Sequence, residues 1–316
     1  ELVNNFDGTL TIKSEGAPTA ITKNNGGATY DVFNDGLIVI DALGTGTHSV
    51  TLTMSSSSQL ISQGTIQVLD SAGNNSLKTV VAPDSSFFVN DGLIDVDADL
   101  TIDVDGSTLD TENGLIDIAT GVDLTIAGGT SGTVEIGSGT NLSGTGNLIF
   151  TGNVTLTVIN NVFLDAPGLF FDTSGGDVTI TGSGFSVGFG TSFGLNSGDS
   201  VSTSLFENFG TLDLTGDGIT ITSPFNNQGT LQINGGPGSG LKIFNDPLLD
   251  NHGNLILDQD GTNILDVNSA GLGTLNNYDY IQSEKTGSGS NPNIIQAELN
   301  NMMGATVDVD YALQLN

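Results

Sequence analysis

The chain has 316 residues, no cysteine and no arginine, and it carries 36 acidic residues against five lysines, a formal net charge of −31. The lack of cysteine excludes disulfides and thiolate metal sites, and the negative charge disfavours nucleic acid and anionic membranes as partners. No apolar run is long enough to insert into a membrane. The 45 glycines, combined with short alternating apolar segments, predict a nearly all-β protein with many tight turns.

The first third of the chain contains loose copies of one pattern, in which an asparagine leads through a glycine turn into a strand. Copies centre on Asn5, Asn34, Asn90 and Asn113, and Gln63 fills the place between Asn34 and Asn90. Glycine reaches positive φ without steric cost, and asparagine also tolerates the left-handed region, so both suit a tight turn. The pattern therefore predicts coils of similar length, each closed at one turn.

Residues 92–105 alternate strictly between apolar residues and acids or threonine, which predicts strand structure with one buried face. The acids Asp95, Asp97, Asp99, Asp103 and Asp105 are expected on the exposed side. Stacked like charges are unfavourable unless water or cations intervene. Two alternatives remain open here: the acids are simply solvated, or neighbouring coils share cations.

The middle of the chain, about 128–198, loses the asparagine pattern and becomes rich in glycine and phenylalanine. These rings are expected to fill a wider interior. The alternative is an exposed strip on which carbohydrate stacks, and its strongest candidate is the segment 184–193.

The clearest copies of the pattern lie in the second half. Their asparagines are separated by steps of 19 to 26 residues and are Asn208, Asn227, Asn251, Asn277 and Asn301. A strand-and-turn unit that recurs at such a period is typical of a stacked solenoid. We expect these five asparagines to form one column, about 4.8 Å apart, in which each amide donates to the next. The best helical candidate in the chain is the short run 294–301.

The Asn-x-Gly-Thr-Leu-x-Ile unit, as in Asn208 to Leu214 and Asn227 to Ile233, resembles the repeats of bacterial extracellular β-helix proteins such as filamentous haemagglutinin-type adhesins and autotransporter passengers. The resemblance covers about two thirds of the chain and implies a right-handed parallel β-helix. The prediction is one elongated β-solenoid over 1–316, with coils of about 19–29 residues. The resemblance also implies a secreted, cell-surface protein that acts as an adhesin, a biofilm matrix component or a fibre.

The loop containing Asp258, Asp260 and Asn263 places oxygen atoms at alternate positions around a glycine, as calcium loops do. It lacks the distal glutamate of an EF-hand. The sequence therefore predicts a possible calcium site there and no other cofactor.

An enzyme is disfavoured by the residues that are missing. Polysaccharide lyases of β-helix shape resemble one another in using calcium with an arginine or lysine base. This chain has no arginine, and none of its five lysines lies in an acidic cluster of the right kind. A glycoside hydrolase needs two suitably spaced carboxylates, but the many acids supply any spacing and discriminate nothing. The two histidines, His48 and His252, lie far apart in the sequence without a nucleophile motif.

The repeat begins at once around Val3 and Thr9, and an alternating strand pattern around Val307 and Tyr311 runs almost to the last residue. Solenoid ends without a cap expose unpaired strand edges. The leading hypothesis is therefore a non-enzymatic subunit that stacks head to tail on itself, which is an open heterologous contact. The alternatives are an adhesin segment that binds glycan or host protein, a fragment whose flanking coils are absent, and, less favoured, a polysaccharide-degrading enzyme.

Overall fold

A computed structural model describes residues 2–4, 8–14, 19–22, 32–42, 49–53, 59–69, 77–81, 86–235, 239–244, 248–259, 262–267, 273–284 and 292–316. These residues form a β-solenoid of stacked turns, built from parallel strands and without a helix in the described part. The all-β solenoid prediction is confirmed. The helical expectation for 294–301 is wrong, because this run forms two strands, Asn293–Gln296 and Glu298–Asn301.

The chain divides into two compact units: residues 1–159 with 168–171, and residues 160–167 with 172–316. One strand, β21 (Phe170–Gly175), contributes its first two residues to the first unit and the rest to the second.

Each coil of the first unit contributes one strand to each of three sheets. The first sheet contains β1 (Leu2–Asn4), β4 (Val32–Asn34), β7 (Gln59–Ser62), β10 (Phe87–Asn90), β13 (Thr108–Asp110), β16 (Gly132–Ile136) and β19 (Val154–Val158). The second contains β2 (Thr9–Ser14), β5 (Leu37–Ala42), β8 (Thr65–Leu69), β11 (Leu93–Val96), β14 (Leu115–Ile118) and β17 (Asn141–Gly144). The third contains β3 (Thr19–Thr22), β6 (Ser49–Thr53), β9 (Leu77–Val81), β12 (Leu100–Asp103), β15 (Asp123–Ala127) and β18 (Asn147–Thr151).

The second unit repeats this arrangement. One row contains β20 (Val162–Leu164), β23 (Phe185–Val187), β26 (Phe206–Asn208), β29 (Phe225–Asn227), β32 (Leu248–Asn251), β35 (Thr274–Asn277) and β38 (Glu298–Asn301). The next contains β24 (Ser192–Leu195), β27 (Thr211–Thr215), β30 (Thr230–Gly235), β33 (Asn254–Gln259), β36 (Tyr280–Glu284) and β39 (Thr306–Val309). The last contains β22 (Val178–Gly182), β25 (Ser200–Thr203), β28 (Ile219–Ile221), β31 (Ser239–Phe244), β34 (Thr262–Val267), β37 (Asn293–Gln296) and β40 (Leu313–Leu315).

Strict alternation explains why these short segments stack as strands. In each strand every second residue points inward, and the register places equivalent residues of successive coils in contact. Ile38, Ile66 and Ile94 pair in one such column and are fully or almost fully buried. In the second unit, Phe206 and Phe225 form part of an interior stack with ring centroids 5.2 Å apart. Parallel pairing satisfies the backbone, while the apolar columns supply the core.

A column of glycines permits the coils to approach closely at one turn. A Cβ built on Gly64 would lie 2.1 Å from the carbonyl oxygen of Gly36, and one on Gly229 would lie 2.1 Å from that of Gly210. Where Asp279 occupies the equivalent place, the hydrogen bond from Tyr280 N to the preceding coil is 3.3 Å long, against 2.8 Å for Thr230 N. The glycine of the repeat therefore permits the closest stacking, and the coil with Asp279 is accommodated with a longer hydrogen bond.

Candidate functional site

The five asparagines of the second unit lie in one column at the ends of β26, β29, β32, β35 and β38. Each amide nitrogen donates to the side-chain oxygen of the next asparagine, at 2.7 to 2.9 Å, from Asn208 to Asn301. The first four amides also donate to a backbone carbonyl of the following coil, at the first residue of the strand after that coil's turn. Asn227, for example, donates to the carbonyl of Asn254 at 3.0 Å. These four side chains are buried, so each hydrogen bond stabilises a polar group that water cannot reach.

The column, called here the asparagine ladder, has a direction. Every amide donates toward the later coil, so the first acceptor and the last donor have no partner within the ladder. Asn208 Oδ1 is buried and has no hydrogen bond, because the preceding position is the apolar Val187. At the other end Asn301 Nδ2 is exposed and turns back to the carbonyl of Ala305 at 3.1 Å.

The first unit has its own ladder at the ends of β1, β4, β7 and β10, with a different composition. Asn4 donates to Asn34 at 2.8 Å and Asn34 donates to Ser62 Oγ at 3.0 Å. Asn90 donates to Thr111 Oγ1 at 3.4 Å, and its own Oδ1 is buried without a partner.

In three coils of this unit the ladder residue lies one or two positions before the residue that the sequence motif indicated. Ser62 lies in the ladder and Gln63 is exposed in the turn. Asn113 is exposed, and Thr111, two positions earlier, is the buried ladder member. Asn4 rather than its neighbour Asn5 joins Asn34, and Asn5 lies outside the described residues. In each case the ladder residue is the one that continues the inward-facing side of the preceding strand. Strict alternation predicts which residue that is, and the Asn-Gly motif does not.

The four residues assigned to the assembly ends lie in the first and last described coils. Val3 is in β1 and Thr9 is an exposed residue of β2. Val307 is a half-buried residue of β39, and half-buried Tyr311 donates its N–H to Ser283 at 2.9 Å. Within the described residues β1, β2 and β3 pair on one side only, as do β38, β39 and β40.

The possible calcium loop is only partly described. Asp258 is half-buried, Asp260 lies outside the described residues, and Asn263 is fully buried. The Asn263 amide donates to the Asp258 carbonyl and, at 3.0 Å, to Asn293. The calcium site stays a prediction. A lower melting temperature after chelation would support it. The free energy of unfolding should fall by about 2.7 kcal/mol if free calcium had been 100-fold above the dissociation constant.

The acids of 95–105 accept hydrogen bonds at different turns. Asp99 accepts the Asp123 N–H at 3.0 Å. Asp105 accepts the Thr130 N–H at 2.8 Å, and this bond and others from Thr130 and Ser131 lower its pKa. Asp95 has a raised pKa because of burial first and then the nearby charges of Asp97 and Asp117.

Among the described residues, one group of acids has carboxylate oxygens close enough to hold an ion. Asp110, Glu112 and Glu135 place these oxygens within 4.8 Å of one another. Burial, followed by the charges of Asp110 and Glu112, raises the pKa of Glu135. Like charges this close repel each other, so the cluster is a local cost to stability.

Asp199 and Lys242 are buried ionisable groups of the second unit that the sequence did not indicate. Asp199 accepts the N–H of Val178 at 2.7 Å and that of Asn196 at 2.6 Å, and burial raises its pKa to about 6. Lys242 is fully buried, donates to the Gly216 carbonyl at 2.7 Å, and has its pKa lowered to about 8 by burial. Both groups bind backbone atoms of neighbouring coils, and no spacing in the sequence marks them.

The phenylalanines of the middle segment divide between two environments. Phe150, Phe171, Phe185 and Phe193 are buried in the core. Phe163, Phe170 and Phe189 are 50%, 42% and 64% exposed. The interior-filling expectation therefore holds for only part of the set.

Three rings of the second unit form a surface group, called here the phenylalanine cluster. Half-buried Phe209 lies 5.7 Å from Phe163 and 5.5 Å from Phe189, measured between ring centroids. Two coils further along, exposed His252 stacks on Tyr278 at 4.2 Å. His48 lies outside the described residues.

Comparisons with family models, with curated proteins and with solved structures return no match to this chain. The described residues contain no helix that could span a membrane. The resemblance to bacterial β-helix repeats remains a prediction.

Proposed function

We propose that this chain is a non-enzymatic, secreted structural protein whose coils stack end to end into a fibre, surface filament or biofilm matrix. The observation that supports the proposal is that apolar side chains of the last coil are exposed. Val309 and Leu315 are 51% and 52% exposed, whereas Ser283 and Ile295, their register partners in the preceding coil, are fully buried. Covering the last coil would remove this apolar surface from water and stabilise the assembly.

Backbone direction at the two edges is also compatible with stacking. The N–H of Thr306 donates to Asp279 in the preceding coil at 2.8 Å, so by alternation the N–H of Val307 faces away from that coil. At the other edge the Gly8 carbonyl accepts the N–H of Leu37 at 3.0 Å, so the N–H of Thr9 faces away from the second coil. Within the described residues these outward-facing donors and acceptors have no strand partner, so the two edges can pair with each other.

Electron microscopy of the purified 316-residue chain at several concentrations tests the proposal. We expect fibres that lengthen with concentration. Val307→Pro and Thr9→Pro each delete an edge-facing donor and should block elongation while circular dichroism stays β-type. The controls Val307→Thr and Thr9→Val keep the backbone N–H and should still elongate. Discrete particles at every concentration would reject self-stacking and favour a segment of a longer solenoid.

The phenylalanine cluster supports a second candidate, an adhesin segment that binds glycan. Aromatic faces form stacking platforms for sugar rings, and the acidic surface does not repel a neutral glycan. A glycan array tests this candidate. We expect binding to be lost in a Phe163→Ser/Phe189→Ser variant and retained in Phe87→Ser, whose ring is exposed at 42% outside the cluster. Equal binding by both variants would reject the cluster as the site.

A further inference from the structure

The two edge coils share a feature that interior ladder coils lack. Thr306 follows Asn301 by five positions and Thr9 follows Asn4 by five. Elsewhere a ladder asparagine precedes the next strand by three positions, as Asn227 does before Thr230. Stacked coils need matching turns, and the longer turn after Asn301 already projects outward, with Met303 fully exposed.

The asparagine ladder is complementary at these same two edges. Asn301 ends its ladder with an exposed amide donor. Asn4 begins the other ladder, and no described residue donates to its Oδ1. The Asn301 amide has no partner within its ladder, and Asn4 Oδ1 accepts from no described residue, so the two groups are the donor and the acceptor that one more ladder bond requires.

We propose that a second copy of this chain stacks its first coil on the last coil in a single register, with Asn301 donating to Asn4 and β38, β39 and β40 pairing with β1, β2 and β3. This inference rests on the proposed function, and it adds the register. It places Thr306 beside Thr9 and Asp308 beside Thr11 on the outer face. On the inner face Val307 and Val309 meet Leu10 and Ile12, so apolar residues cover apolar residues.

Disulfide trapping tests the register, because the chain has no cysteine of its own. In-register parallel residues lie about 4.8 Å apart, within the Cα range of a disulfide. A Thr11→Cys/Asp308→Cys chain should therefore form covalent dimers, trimers and longer ladders on oxidation. A Thr11→Cys/Asp310→Cys chain is displaced by two residues, about 8 Å between Cα atoms, and should cross-link at least tenfold less.

The single variants Thr11→Cys and Asp308→Cys cannot form a chain of disulfides and define the background. If both double variants cross-link equally while fibres persist, the register is wrong but the proposed function stands. If the unmodified chain forms no fibres and neither double variant cross-links, the inference and the proposed function both fail.

The ladder contact has its own test. Asn301→Ala should raise the critical concentration for fibre growth up to about tenfold, the ratio that corresponds to about 1.4 kcal/mol for one buried hydrogen bond. The matched control is Asn300→Ala. Asn300 occupies the neighbouring position and donates to Asn276 within its own chain at 3.2 Å. An equal rise in both variants would show that the ladder does not continue between copies.

Discussion

In both units a ladder of polar side chains hydrogen-bonds successive coils, but the two ladders differ in composition. In the second unit every position from Asn208 to Asn301 carries an amide, and the amide–amide distances are 2.7 to 2.9 Å. In the first unit Ser62 and Thr111 interrupt the asparagines, and the bond from Asn90 to Thr111 lengthens to 3.4 Å. An amide has its donor and acceptor on separate atoms and reaches further than a hydroxyl, so it can bond both neighbouring coils at once.

The outer faces of both units combine carboxylate pairs with acid–amide pairs. In the first unit Asp95 lies beside Asp117 in register, while the Gln67 amide donates to Asp95 at 3.1 Å. In the second unit Asp258 lies beside Glu284 in register, while Asn276 donates to Asp250 at 2.9 Å. An amide between coils replaces repulsion by a hydrogen bond on the outer face and satisfies a polar group inside.

The largest expected effect is common to both units. Gly64→Ala and Gly229→Ala each place a Cβ about 2.1 Å from a carbonyl oxygen of the neighbouring coil. We expect each change to lower the free energy of unfolding by about 3 kcal/mol, measured by urea denaturation. Gly304→Ala is the control: its Cβ meets nothing within 4 Å, although its φ of 96° still adds strain of about 1 kcal/mol. Three equal losses would refute the close approach at the glycine column.

Ladder substitutions should distinguish the units. Asn227→Ala removes bonds to Asn251 at 2.7 Å and to Asn254 at 3.0 Å, and leaves their acceptors buried. We expect it to lower the free energy of unfolding by about 1–2 kcal/mol. Asn90→Ala removes only bonds of 3.4 Å, so its loss should be about half as large. If Asn90→Ala costs as much as Asn227→Ala in urea denaturation, ladder composition is not the relevant difference.

A ladder position can also be added. Val187 is buried beside Asn208, whose Oδ1 has no partner, so the hydroxyl of Val187→Thr can donate to that oxygen. We expect a gain of about 0.5–1 kcal/mol in the free energy of unfolding. The control is Val201→Thr, where the register neighbours Ile180 and Ile221 are apolar and the buried hydroxyl should cost about 1–3 kcal/mol. Destabilisation by both changes would mean that Asn208 Oδ1 is satisfied in solution.

The sequence predicted the solenoid because the spacing of the repeat gives the length of a coil and the alternation of apolar and polar residues indicates the inward side of each strand. It indicated Asn5 instead of Asn4 and Asn113 instead of Thr111, because the Asn-Gly motif marks the asparagine nearer the glycine and not the residue that faces inward. Only the inward side of β1 and β13 separates them. The buried positions of Asp199 and Lys242 follow from contacts between coils about 20 to 26 residues apart, which a single sequence does not specify.

The smallest expected effect lies on the outer face of the first unit. Burial, then Asp97 and Asp117, raise the pKa of Asp95. A raised carboxyl pKa means that the folded state holds the proton more tightly, so this stability is present at low pH and is lost as pH rises through the folded-state pKa. Asp117→Asn removes one of these charges and reproduces the acid–amide pairing of the second unit. We expect it to raise the free energy of unfolding by about 0.2–1 kcal/mol near pH 7 and to change it little near pH 3, below the raised pKa of Asp95, where that carboxyl is protonated.

Urea denaturation at both pH values measures this difference. The Ser143 hydroxyl, which donates to Asp117, can still donate to the amide oxygen of the variant, so that contact does not confound the result. Asp250→Asn is the control, because its carboxylate already accepts an amide and gains nothing from neutralisation. A gain from Asp117→Asn that is equal at both pH values would show that packing, rather than repulsion between carboxylates, accounts for the effect.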